Sequence, residues 1–226
     1  MKKQMNTFPR RNDIVWMAQY YKNTLLTLAL CVGWFVAAAQ ATTDVSLPET
    51  HHYAVEVAGI RVGTMTAIRQ SQPNNQLIYT LISDVKVNLL VYTVKVYYKC
   101  INQFDGKKLM LSTVETHTNK GDFSSRTEWK GDHYDIEANQ NKYQKQATER
   151  ASLEYPLTSV YFSEPAGRAR IYSEYFGDYF TFSRSAKGAY KAVLNDHEDD
   201  YYYENGRLVK VIKHNSLKNF VIRLLD

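Results

Sequence analysis

Cysteine is nearly absent from this sequence, with two among 226 residues, Cys31 and Cys100. Cys31 lies inside an apolar run, so a chain that loses that run keeps Cys100 alone and has no intramolecular disulfide to staple it. A lipid anchor through Cys31 is excluded as well, because Leu30 precedes it where a small residue is required and the apolar run continues beyond it. Glycine (10) and proline (5) are sparse and form no linker-like stretch. The sequence also lacks a Gly-x-Ser-x-Gly elbow, a phosphate-cradling glycine loop and a His-Glu-x-x-His pair, the local signatures of several hydrolases, nucleotide enzymes and zinc peptidases. No catalytic residue, cofactor or metal is therefore expected.

What is present begins with an address. Thr24 to Ala41 is an apolar run behind Lys22 that closes on Ala39-Gln40-Ala41, the small-x-small pattern of a secretory signal peptide cut after Ala41. Residues 1–41 are read as the signal and 42–226 as one secreted β-rich domain, exported to the periplasm or the medium. Met17, just upstream of Lys22, competes with Met1 as the start codon, since it would leave a short basic leader. An uncleaved membrane anchor is the alternative, although Leu25 to Ala39 falls short of the ~20 apolar residues of a spanning helix.

Removing the leader also removes a charge signal. The whole chain has 28 Lys+Arg against 23 Asp+Glu, but the leader holds Lys2, Lys3, Arg10, Arg11 and Lys22 against Asp13 alone, which leaves 23 against 22. A nucleic-acid partner needs a basic face to neutralise phosphates, and no such excess survives.

From Tyr53 onward the apolar residues recur with period two, the mark of strands with one buried face. Tyr92, Val94, Val96, Tyr98, Cys100 and Phe104 share one face and Thr93, Lys95, Lys99 and Gln103 the other, which predicts a buried, inert Cys100. Leu77, Tyr79, Leu81, Val85, Val87 and Leu89 form a second apolar face, interrupted by Ser83. Asn205-Gly206 suits a two-residue type I′ turn, and Asp105-Gly106, Gly121-Asp122, Gly131-Asp132 and Gly177-Asp178 mark further reversals. Leu157 to Ser163 breaks the rhythm and predicts a short helix capped by Thr158 or Ser159. The fold class that follows is all-β, an antiparallel meander forming a curved sheet, half-barrel or barrel with one short helix against it.

Several segments resemble a family of uncharacterised secreted bacterial proteins: Tyr53 to Gly63, Ser83 to Val87, Trp129-Lys130-Gly131-Asp132-His133-Tyr134, Val160 to Pro165, and Tyr203-Glu204-Asn205-Gly206-Arg207-Leu208. The resemblance spans most of residues 42–226. It implies the fold and carries over no catalytic or binding residue.

Among the titratable groups, His51-His52 point opposite ways on an extended chain and read as a flexible lead-in rather than a chelate. A site pairing His117 with His133 is the weaker possibility. Asp196-His197-Glu198-Asp199-Asp200 lacks the glycine and spacing of an EF-hand loop and reads as a solvated hairpin tip.

Tyrosine is the compositional outlier, with 18 in the chain. It clusters most densely from Tyr172 to Phe182, where Gly177-Asp178 divides two strands. The two-residue period puts Phe180 and Phe182 on one inward face and Tyr179 outward. With Tyr161 and Phe162 of the short helix, Phe180 and Phe182 form the candidate wall of a pocket for a lipid-like or other apolar ligand. Alternatives are a structural or protein-interaction module of the cell envelope, with an envelope protein as partner, and a hydrolase whose site is assembled from distant strands.

Overall fold

The computed structural model describes residues 47–88, 93–140, 143–185, 188–214 and 218–225. The apolar run and the cut after Ala41 lie outside the described residues, as do Leu89 and Tyr92. Fourteen antiparallel strands form one sheet among them: β1 Glu49–Val57, β2 Ile60–Gln72, β3 Gln76–Asn88, β4 Thr93–Asp105, β5 Lys108–Thr118, β6 Gly121–Trp129, β7 Tyr134–Gln140, β8 Tyr143–Glu149, β9 Arg170–Ser173, β10 Asp178–Arg184, β11 Tyr190–Leu194, β12 His197–Glu204, β13 Arg207–Lys213 and β14 Phe220–Leu224. Each strand pairs with its sequence neighbour except across one break, and β1 pairs with β14, from Tyr53↔Leu224 to Val57↔Phe220. The break falls between β8 and β9, the two edges of the sheet.

The turn chemistry explains the meander. Asn205 (φ 53°) and Gly206 (φ 77°) take the left-handed conformation that a type I′ turn requires, bringing Glu204 opposite Arg207. The acidic stretch differs from expectation. Its turn is Asn195-Asp196, and His197 to Asp200 lie along β12 with their side chains alternating between the faces, so Asp199 is buried. Backbone pairing of Leu194 with His197 closes the hairpin one residue past Asp196, which leaves Asp196 as the acidic residue of the tip and puts Glu198, Asp199 and Asp200 on the strand. His51 and His52 are likewise part of β1 rather than a lead-in. His51 is buried, its Nδ1 donating to the Tyr161 carbonyl at 3.1 Å.

The sheet is strongly curved, and its β9–β10 end is packed on both faces. Ile171 and Phe180 are cross-strand partners in a large cluster with Tyr53, Met65, Cys100 and Val211. Tyr172 and Tyr179, partners on the opposite face, join a second cluster with Phe104, Leu109, Tyr134 and Ile136. Tyr179 therefore does not face outward to solvent: it is half-buried, packs edge-on to Tyr172 at 5.4 Å and donates to Glu149 Oε2 at 3.0 Å. The second cluster covers that face only at its Tyr172–Tyr179 end, while Thr181 and Arg170, the next pair on it, stay exposed, and the two-residue period cannot show where along one face burial stops. Gly177 completes the packing, since a Cβ there would lie 2.6 Å from Ile136 Cγ2 on β7.

The expected helix is a short 3-10 helix, Leu157–Tyr161, in the chain that links β8 to β9. Neither Thr158 nor Ser159 caps it through a hydroxyl; the capping position is Pro156, and the orphan amides of Leu157 and Thr158 are satisfied by Glu174 instead.

Candidate functional site: a cavity beneath the short helix

Between the 3-10 helix and the concave face of the sheet lies a cavity of about 410 Å³. Its walls are mainly apolar: Val55 of β1, Met65 of β2, Leu81 and Val85 of β3, Val96 of β4, and Phe220 and Ile222 of β14. Tyr98, Tyr161, Tyr175, Phe176 and Phe180 add an aromatic side. Ser83, the residue that breaks the apolar run of β3, lines this space, so the interruption marks the cavity rather than a fault in the strand.

Of the four predicted wall residues, the structure places Tyr161 and Phe180 on the cavity and Phe162 and Phe182 away from it. Phe162 stands just past the helix and stacks on Tyr79 at 5.0 Å, with His51 at 5.6 Å on another side. Phe182 shares Phe180's face as expected, but continues along the strand to pack against Tyr201 at 5.5 Å. The segment's hydrophobicity identified the wall, whereas its extent depends on where the cavity ends.

Two groups were missed by sequence reading, Glu174 on the cavity wall and Asn102 bonded behind it. Glu174 is 3% exposed, and its carboxylate gathers four donors. Oε1 accepts from Asn102 Nδ2 (2.7 Å), Thr158 Oγ1 (2.7 Å) and the Thr158 amide (3.0 Å), and Oε2 from the Leu157 amide (3.2 Å). Four donors on one carboxylate favour its ionised form, against burial, which raises the carboxyl above its ordinary range by more than the Thr158 and Asn102 donors take back. The network continues outward, with Cys100 Sγ donating to Asn102 Oδ1 at 3.7 Å. Cys100 is fully buried as predicted, and burial, with Glu174 nearby, drives its thiol well up from the ordinary value. Such a thiol is inert. The signal for Asn102 was its register with Cys100 and Phe104; a polar residue on an apolar face is hydrogen-bonded or functional.

On another side of the cavity Asp199 accepts from Lys213 Nζ at 2.6 Å, and Tyr201 OH reaches the same carboxylate oxygen at 3.4 Å. The Lys213 side chain is 42% exposed against 7% for Asp199, which marks this side as the mouth. His197 covers it, its ring 4.6 Å from that of Phe176.

Other concavities are different in kind. The depression over β6–β8 is larger, about 680 Å³, but open and charged, with Arg126 and Lys130 already paired to Glu128 at 3.1 and 2.6 Å. Glu198, Asp200 and His214 bring ligand atoms within 4.8 Å of one another. Lys191 Nζ already donates to Glu198 (2.5 Å) and His214 Nε2 bonds Asp200 (2.9 Å), so these groups already have partners within the protein. His117 pairs with Asp122 and His133 with Asp132 and Asp135, each within its own hairpin.

The family model of a domain of unknown function, DUF6134, matches residues 53–225, from the middle of β1 to just past β14. The chain belongs to this family. The match covers every element that builds the cavity. No curated protein matches the sequence. A solved structure, that of a beta-barrel-like protein of the domain of unknown function DUF1849 from Brucella abortus, is similar to it at 8% identity, covering 80% of this chain and 96% of that one with a TM-score of 0.45.

Proposed function

We propose that this DUF6134 domain is a non-catalytic binding protein of the cell envelope that holds an apolar or amphipathic ligand in the cavity beneath its 3-10 helix. The observation that carries the reading is the cavity itself: about 410 Å³, apolar on most sides, with a few polar groups set at fixed points. That volume and lining are those of small-ligand sites, which run from roughly 300 to 1,000 Å³. Support for a non-catalytic role comes from two of the polar groups, since the Glu174 oxygens accept from protein donors and the Cys100 thiol is buried with its pKa driven up. The fluorescent, uncharged probe N-phenyl-1-naphthylamine should brighten and saturate at about one probe per protein on mixing with the purified domain. Absence of saturable uptake would leave the cavity as a packing defect and remove the reading.

The envelope address rests on the Ala39-Gln40-Ala41 ending of the leader. N-terminal sequencing of protein recovered from the cell envelope should begin at Thr42, and recovery of an intact leader would contradict export with cleavage.

The second reading, a protein-interaction module, is favoured by the edge of the sheet at β8. Among the described residues Tyr143–Glu149 pairs with β7 alone, and an open edge accepts an added strand.

A further inference from the structure

We propose that the cavity selects ligands carrying an ammonium group on an apolar chain, over neutral or anionic ligands of the same length. This inference rests on the cavity being a binding site. It turns on the balance of charge facing the interior. Glu174 and Asp199 supply two carboxylates and Lys213 one ammonium, with His197 and His214 also on the lining, each beside an aspartate, Asp196 and Asp200. Asp199 and Lys213 cancel at 2.6 Å, which leaves Glu174 in surplus. Its partners at Asn102, Thr158 and Leu157 are all neutral. A buried charge without a counter-charge is costly, and a cation entering the cavity removes that cost where a fatty-acid carboxylate would double it.

The aromatic side points the same way. Tyr175 follows Glu174 directly, its ring 4.8 Å from Phe176 and 6.4 Å from Tyr98, and Phe176 lies 6.0 Å from Phe180. All four rings line the cavity beside the carboxylate. Aromatic faces around an anionic group are the chemistry that recognises alkylammonium ions. At the mouth Lys213 is already bonded to Asp199, so its charge is spent before an anionic headgroup arrives.

Displacement of bound N-phenyl-1-naphthylamine by twelve-carbon ligands, each below its micelle concentration, tests the inference. Dodecyltrimethylammonium should displace the probe at a concentration about tenfold or more below that needed for dodecanol, and dodecanoate should be weakest. Equal potency of the three, or dodecanoate as the strongest, overturns the charge preference and leaves the cavity reading standing. Failure of the probe itself to bind ends both. Glu174→Gln should bring the ammonium and the alcohol to similar potency. Because that change also disturbs the hydrogen bonds at the helix, Phe176→Leu provides an independent arm. It keeps an apolar wall, removes a ring, and should narrow the ammonium-to-alcohol ratio several-fold; an unchanged ratio in a folded Phe176→Leu protein counts against the aromatic contribution and the inference with it.

Discussion

Phe180→Ala is expected to lower the stability of the domain by about 3–5 kcal/mol. The ring is 2% exposed, opposite Ile171 on β9 and edge-on to Phe176, with the cavity on its remaining side. Removing it merges the space it vacates with a void already present, so neighbouring side chains have little incentive to close in. At ~2–4 °C per kcal/mol for a domain of this size, the melting temperature should fall by roughly 6–20 °C. Probe uptake falls too, because the residue is both core and wall. Phe180→Leu separates the roles, since a change closer in volume should cost less than ~1.5 kcal/mol while altering the cavity's aromatic lining. A Phe180→Ala loss below about 1 kcal/mol would mean that the β9–β10 hairpin is not packed against the large cluster as described.

Gly63→Ala should be more damaging than its chemistry suggests. Gly63 sits on β2 opposite Val85 of β3 and Val55 of β1, beside the register shift after Val55. A Cβ built there would lie 2.2 Å from the Asp84 carbonyl oxygen and 2.8 Å from Val85 Cα. Both are backbone atoms of a paired strand, so relief requires moving β3 away from β2. Overpacking costs typically 1–3 kcal/mol where side chains can shift, so about 3 kcal/mol or more is expected here. Gly59→Ala is the comparison. Its φ of 79° strains any side chain, but no atom lies within 4 Å of the added Cβ, so the cost should stay near ~1–2 kcal/mol. Urea unfolding of the two variants measures both, and a Gly63→Ala midpoint at or above that of Gly59→Ala would refute the close approach.

Much of the fold was legible because β-structure advertises itself locally. Alternation along Tyr98, Cys100 and Phe104 gives a strand and its buried face, and Asn205-Gly206 gives the hairpin that follows β12. The sites were less legible because they depend on what arrives from far along the chain. His51 reads as a solvated histidine until the Tyr161 carbonyl, 110 residues away, is placed over it. Thr158 reads as a cap until Glu174 takes both its amide and its hydroxyl. Tyr179 reads as a surface residue because nothing in Tyr172 to Phe182 announces a second apolar cluster behind the hairpin. Phe162 and Phe182 have the composition of wall residues, and only the position of Tyr79 and Tyr201 assigns them to packing instead.

The pairing of β1 with β14 has a consequence for the order in which the domain is made. Every other strand pair among the described residues joins sequence neighbours, so those ladders can zip as soon as a hairpin leaves the exit tunnel. The pair that unites β1–β8 with β9–β14 spans Tyr53 to Leu224 and waits for the last strand to emerge. Until then two meanders coexist, each with an unsatisfied edge facing the other. Closing so long a loop carries an entropic cost that the local ladders do not, so formation of this seam is expected to be slower than that of the hairpins, and variants that weaken the β1–β14 pairing should slow refolding.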